Sequence, residues 1–169
     1  MIDIIFYTSI PWKFGEIYIA GSSKGISRIS FDTYQDEDEF LKSLKYDSRQ
    51  IKRDDDFFQA LSSKLVKYFG GENITFDDVV DLTIGTEFQK LIWYTVAKIP
   101  YGQVKTYHEI AKCIGNPRAV RAVGGANARN PVPIIIPCHR VISAGGKLGG
   151  YSGGIKIKEY LLQLEGAII

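Results

Sequence analysis

Apolar residues are spaced differently in the two halves of the chain. From Ile2 to Ile10 and from Gly15 to Ala20, β-branched and aromatic residues dominate, with Pro11, Gly15 and Gly21 marking turns. With Gly25 to Phe31 these runs predict an antiparallel meander. The period then lengthens. Acidic residues Asp36 to Glu39 precede Phe40, Leu41 and Leu44, the charge order of a helix start. Asp54 to Asp56 introduce Phe57, Phe58, Leu61, Leu65 and Phe69 at helical spacing, stopped by Gly70-Gly71. Residues 72–84 keep neither period and read as a linker; Asp77, Asp78 and Asp81 within it have no histidine or cysteine beside them to make a metal site.

Past Gly85 the pattern is helical, then broken. Thr86 is placed to cap a helix over Glu87 to Lys98 with Phe88, Leu91, Ile92 and Val96 inward and Trp93 in the core or an interface. Thr106, with Glu109 completing a capping box, starts a short helix from Tyr107 through Ile114. Gly115-Asn116-Pro117 separates it from a third helix, Arg118 to Ala128, whose Ala119, Ala122 and Ala126 share one side. Two helices about a tight turn predict a helix-turn-helix, and small residues let the second approach either DNA or the protein's own core. Gly124-Gly125 costs roughly 2 kcal/mol of helix propensity against alanine, which close approach to a neighbour must offset. Asn130-Pro131-Val132-Pro133 reads as a stiff turn into a buried strand, Ile134 to Ile136, and Val141 to Leu148 as a hairpin wing turning at Ala144 to Lys147. A glycine-rich loop over Gly149 to Gly154 leads to a last helix with Ile157, Leu161 and Leu164 inward. The fold class is α+β: an N-terminal antiparallel sheet with helices over residues 1–84, and a C-terminal winged helix-turn-helix lobe over 85–169.

Charge sharpens that division. The formal net charge is only +2, but residues 1–84 hold 10 Lys and Arg against 15 Asp and Glu, a net of −5, whereas residues 85–169 hold 11 against 4, a net of +7. Both histidines and both cysteines lie in the second half. A basic lobe carrying every reactive side chain points to a polyanionic partner, with the acidic lobe as scaffold. Two cysteines make no disulfide framework, no signal sequence opens the chain and no apolar run reaches transmembrane length, so a reducing cytoplasm and no membrane association are expected.

The chemistry concentrates in Pro137-Cys138-His139-Arg140-Val141. A thiol is a strong nucleophile only as thiolate, and a neighbouring imidazole and guanidinium lower its pKa. In an extended strand, adjacent side chains point to opposite faces, so Cys138 and His139 need a bend or a bridging water to cooperate. Pro137 can supply the bend. From these residues alone a buried cysteine beside a surface histidine stays open, as does a thiol hydrolase turning over a small ester or amide.

Extended to Asn130-Pro131-Val132-Pro133, to Tyr151-Ser152-Gly153-Gly154 and to Leu161-Leu162-Gln163-Leu164-Glu165-Gly166, the stretch resembles the O6-alkylguanine-DNA alkyltransferases, over about Gly85 to Gly166. The resemblance implies a ribonuclease H-like N-terminal lobe. It also implies stoichiometric, irreversible transfer of an alkyl group from O6-alkylguanine, and from O4-alkylthymine, in double-stranded DNA to Cys138 after base flipping. By the same resemblance Glu165 orients His139, which deprotonates Cys138 through a water, and Tyr107 promotes flipping and donates to guanine N3. Arg121 takes the space of the flipped nucleotide, on a DNA-binding helix that also presents Ala122, Gly124 and Asn127. The Cys138 and Val141 carbonyls meet the exocyclic amine, the Ser152 amide meets O6, and Tyr151 packs on the lesion. Asn130 ties the helix to the active-site turn, so that alkylation loosens both. His108 and Cys113 match no functional position and are assigned to structure. Some members hold zinc in the N-terminal lobe, but residues 1–84 contain neither cysteine nor histidine, so no metal and no cofactor is expected, and the protein is expected to act as a monomer. Non-catalytic relatives that bind alkylated DNA lack the cysteine, which this chain keeps.

Overall fold

Three N-terminal strands form because β-branched and aromatic runs are cut by residues that turn the chain. The computed structural model describes residues 4–31, 36–44 and 50–167 and divides into two units, Met1–Asp81 and Leu82–Ile169. In the first, β1 (Ile4–Trp12), β2 (Gly15–Ser22) and β3 (Gly25–Phe31) are the expected antiparallel meander, in register Tyr7↔Ala20 and Ile19↔Ile29. The expected start at Ile2 and Asp3 lies outside the described residues. Helix α1 (Glu37–Leu44) buries Phe40 and Leu44 against Ile5, Tyr18 and Ala20.

A fourth strand corrects the purely antiparallel expectation. β4 (Gln50–Arg53) pairs parallel to β1, giving the order β3-β2-β1-β4. Its sequence, Gln-Ile-Lys-Arg, offers a single apolar residue, so no alternation announced it. The acidic triplet after it caps turns instead of opening the helix: Asp54 accepts from the Phe57 amide at 3.0 Å and Asp55 from the buried Thr8 hydroxyl at 2.6 Å. Helix α2 (Gln59–Phe69) therefore starts later and buries Leu61, Leu65 and Tyr68. The supposed linker is partly built in. Val79 and Asp81 exchange main-chain hydrogen bonds with Ile26, both at 2.8 Å, and Lys64 pairs with Asp77 and Asp78.

The second unit is mostly helical. α3 (Glu87–Ala97) and α4 (Tyr107–Cys113) each carry a complete capping box, Thr86 with Gln89 and Thr106 with Glu109. α3 buries Ile92, Trp93 and Val96, whereas Leu91, expected inward, is 47% exposed. Trp93 donates its indole N–H to the Ala126 carbonyl at 2.9 Å, locking α3 to α5 (Val120–Ala128). Of the small residues on α5, Ala126 is buried and Ala122 exposed, so the bare side is shared between core and solvent.

Two expectations fail here. Ile134 to Ile136 is not a strand: prolines at 131, 133 and 137 remove the ladder donors, Ile134 takes φ 76°, and the Ile136 amide turns back to the Val132 carbonyl at 3.0 Å. Nor do residues 141–148 form a hairpin. β6 (Val141–Ile142) pairs parallel with β5 (Lys105–Thr106), and Ala144–Gly146 make a 3-10 turn closed by the Ser143 amide on the Lys147 carbonyl at 2.8 Å. The last described helix is α6 (Ile155–Leu164), which buries Ile157, Lys158, Leu161 and Leu162. Among the described residues no helix is long and apolar enough to cross a membrane.

Candidate active site

Cys138, His139 and Arg140 occupy one 3-10 turn, held by the Cys138 amide on the Ile136 carbonyl at 2.8 Å and the Arg140 amide on the Pro137 carbonyl at 2.9 Å. Three residues per turn spread successive side chains by a third of a circle, so the opposite-face problem of an extended strand does not arise. All three side chains are buried, Cys138 at 1% and His139 at 0% exposure. The turn is fixed from outside by Asn130, whose amide donates to the Ile136 carbonyl at 2.7 Å and accepts from the Val132 amide at 3.0 Å. A side chain thus replaces the main-chain partners the prolines cannot supply.

Glu165, directly after α6, closes the arrangement. His139 Nε2 lies 2.8 Å from its Oε1, and Arg140 grips both oxygens, Nε to Oε2 at 2.8 Å and Nη2 to Oε1 at 2.9 Å. The remaining Arg140 fork reaches the Ile99 carbonyl at 2.6 Å, and the Gly102 amide donates to Glu165 Oε2 at 3.2 Å. Sequence proximity suggested that the guanidinium serves the thiol; it is instead engaged with the carboxylate. With Nε2 donating to Glu165, Nδ1 becomes the basic ring nitrogen. Burial lowers the His139 pKa, against the opposing pull of Glu165, and burial raises that of Cys138. The resting pair is therefore a neutral thiol beside a neutral imidazole, with hydrogen bonds from Asn130 and Tyr151 and the charge of Lys158 favouring the thiolate.

A cleft of about 430 Å³ opens beside this turn, lined by Tyr107, Gly124, Asn127, Ala128, Gly150, Tyr151 and Ser152. Tyr107 stands at the start of α4 with its hydroxyl 3.4 Å from the Gly150 carbonyl, and burial, then the Cys138 charge, pushes its pKa above the usual 10. Gly149, at φ 71°, lets the loop lie against that ring, since a Cβ there would meet the Ser143 hydroxyl at 2.7 Å and Tyr107 Cε2 at 3.2 Å. Asn127, expected on the DNA-facing surface of α5, is buried and donates to the Cys138 carbonyl at 3.2 Å, so it belongs to the cleft wall. Arg121 and Ala122 are on the exposed side of the same helix, Val141 is fully buried, and Ser152 is exposed at the loop. His108 and Cys113 are exposed on α4, outside both core and site. Neither Gly124 nor Gly125 is demanded by internal packing: a Cβ at Gly124 would meet Tyr107 at an ordinary 3.9 Å, and one at Gly125 only the flexible Arg129 tip at 3.2 Å.

These geometries agree with the family comparisons. The 6-O-methylguanine DNA methyltransferase DNA binding domain matches residues 87–167, and the ribonuclease-like domain of the same family matches residues 5–82. The chain belongs to this family. It is 45% identical over 163 residues to the methylated-DNA–protein-cysteine methyltransferase of Methanosarcina acetivorans, covering 96% of this chain and 99% of that one. A crystal structure of the Mycobacterium tuberculosis OGT in complex with DNA superimposes with TM-score 0.80 at 39% identity, covering 95% of this chain and 92% of that one. The O6-methylguanine-DNA methyltransferase of Pyrococcus kodakaraensis gives TM-score 0.68 at 28% identity, covering 96% and 99%. One residue of the site escaped the family motif as read from sequence. Lys158 is fully buried, and the signal for it was available: it sits with Ile157, Leu161 and Leu162 in the apolar stripe of α6, where a lysine needs a reason.

Proposed function

We propose that this protein repairs double-stranded DNA by taking the alkyl group of O6-alkylguanine, and of O4-alkylthymine, onto Cys138, once per molecule, as a monomer in a reducing cytoplasm. The observation that carries this reading is the Cys138, His139 and Glu165 set buried beside a cleft whose walls are Tyr107, Asn127 and Tyr151. A sulfur screened from solvent reacts with what the cleft admits, and a base in a duplex enters such a cleft only after rotating out of the stack. The relatives' names supply the reaction, and Arg121, planar, always charged and exposed on α5, suits the space a flipped base leaves.

In this mechanism Glu165 fixes the imidazole, and His139 receives the Cys138 proton through one water. The sulfur attacks the alkyl carbon: the S–C bond forms, the C–O6 bond breaks, and its electron pair remains on the purine. Tyr107, kept protonated by its raised pKa, donates to N3 and helps guanine carry that charge. The Cys138 and Val141 carbonyls take the exocyclic amine, and the Ser152 amide takes O6. A thioether has no ready hydrolytic exit, so the product is final. Duplex DNA carrying radiolabelled O6-methylguanine, incubated with a limiting amount of protein, tests the reading. One label per protein is expected; turnover well beyond one equivalent supports a thiol hydrolase instead.

A further inference from the structure

Lys158 is a fully buried cation, bonded to the cleft residue Gly150, that the reaction above leaves without a task. Its ammonium donates to the Val141 carbonyl at 2.6 Å and to the Gly150 carbonyl at 3.3 Å, and lies 6.0 Å from the centre of the Tyr107 ring. Val141 follows the catalytic turn, and Gly150 belongs to the glycine loop, where it also accepts from Tyr107. One side chain on α6 thus fastens the nucleophile's turn to the loop that closes the cleft. No carboxylate among the described residues pairs with it. The ionisable groups facing it are Cys138 and His139 from the turn and Tyr107 from α4; Glu165 and Arg140 are engaged with each other beyond His139.

A buried ammonium satisfied only by carbonyls is costly to fold around, and leucine or methionine would fill the same stripe without that cost. Burial brings its pKa down to about 8, with Cys138 acting in the opposite direction, so it remains largely charged at neutral pH. Negative charge near it arises chiefly when the Cys138 sulfur ionises. We propose that Lys158 positions the cleft and balances charge for the acceptor sulfur: clasped by the Val141 and Gly150 carbonyls, its ammonium holds the glycine loop to the catalytic turn and faces the thiolate as it forms. This rests on the reading of Cys138 as the alkyl acceptor.

The test is the pH dependence of Cys138 modification by iodoacetamide in a Cys113→Ser background, which leaves a single thiol. Lys158→Met should move the thiol titration upward by about one unit and slow modification at neutral pH about tenfold, while Lys158→Arg, which keeps the charge, returns part of the loss. Circular dichroism checks that each variant is folded. A folded Lys158→Met protein whose profile superimposes on that of its parent overturns the proposal. A second measurement reads the clasp itself. Amide hydrogen exchange in the loop around Gly150 should quicken in folded Lys158→Met and be slowed again in Lys158→Arg; exchange unchanged in Lys158→Met overturns the proposal equally. Failure of the parent protein to take a methyl group from lesion-bearing DNA would instead count against the function, and leaves both measurements interpretable.

Discussion

At the scale of single residues, Glu165 carries more interactions than the sequence pattern suggested. It fixes the His139 ring and at the same time neutralises Arg140, which is buried with it. Glu165→Gln keeps the shape but leaves that guanidinium without its counter-charge, so stability should fall by about 3 kcal/mol or more in a denaturant titration. Alkyl transfer should fall about a hundredfold in a single-turnover assay, as an unoriented base would give. The pH dependence follows from His139, whose pKa burial depresses. Transfer requires the neutral ring, so the rate should hold as pH falls past the ordinary histidine value and drop only below it. The sign for folding is the same: a depressed pKa gives stability that is present above the unfolded value and lost as pH falls through the folded one. Thermal unfolding across that range, compared with a Glu165→Gln protein, measures it. A rate already halved at the ordinary histidine value would contradict the assignment.

At the scale of elements, α5 works on two fronts. Its inner side places Asn127 and Ala126 against the catalytic turn and Trp93, and its outer side carries Arg121 and Ala122. The glycine pair is legible from both sides. Internal packing leaves room for a methyl group at Gly124, so Gly124→Ala should raise stability by roughly 0.5–1 kcal/mol while weakening repair of duplex DNA. A melting curve and a duplex-binding titration on the same protein check both halves. Arg121→Ala should slow repair in duplex DNA more than reaction with free O6-benzylguanine, because flipping costs a few kcal/mol that the free base avoids; equal losses would remove Arg121 from its role. Helix caps and strands with strong patterns were readable from sequence, as Thr86, Thr106 and the β1 to β3 runs show. What the pattern concealed were segments where side chains replace main-chain partners. Three prolines turned an apparent strand into a loop held by Asn130, and a buried lysine hid within an apolar stripe.

At the scale of the molecule, the acidic first half and basic second half, −5 against +7, assign the DNA-facing role to the C-terminal unit. Affinity for undamaged duplex should therefore drop steeply as salt rises, through counterion release, which a binding isotherm at several ionic strengths measures. Residues 85–169 hold every cysteine and histidine, and Cys138, His139, Glu165 and the cleft all lie in this half. The N-terminal strands were visible from sequence, but the fourth was not, since parallel pairing of a short charged segment is set by what surrounds it rather than by its own residues. The central claim is that one sulfur permanently accepts the lesion's alkyl group. Peptide mapping by mass spectrometry, after exposure to an oligonucleotide duplex containing a single O6-methylguanine, tests it most directly. The account predicts one added methyl group, on the peptide containing Cys138, with the lesion restored to guanine; an unmodified Cys138 with the lesion intact, or the methyl group on Cys113, would contradict it.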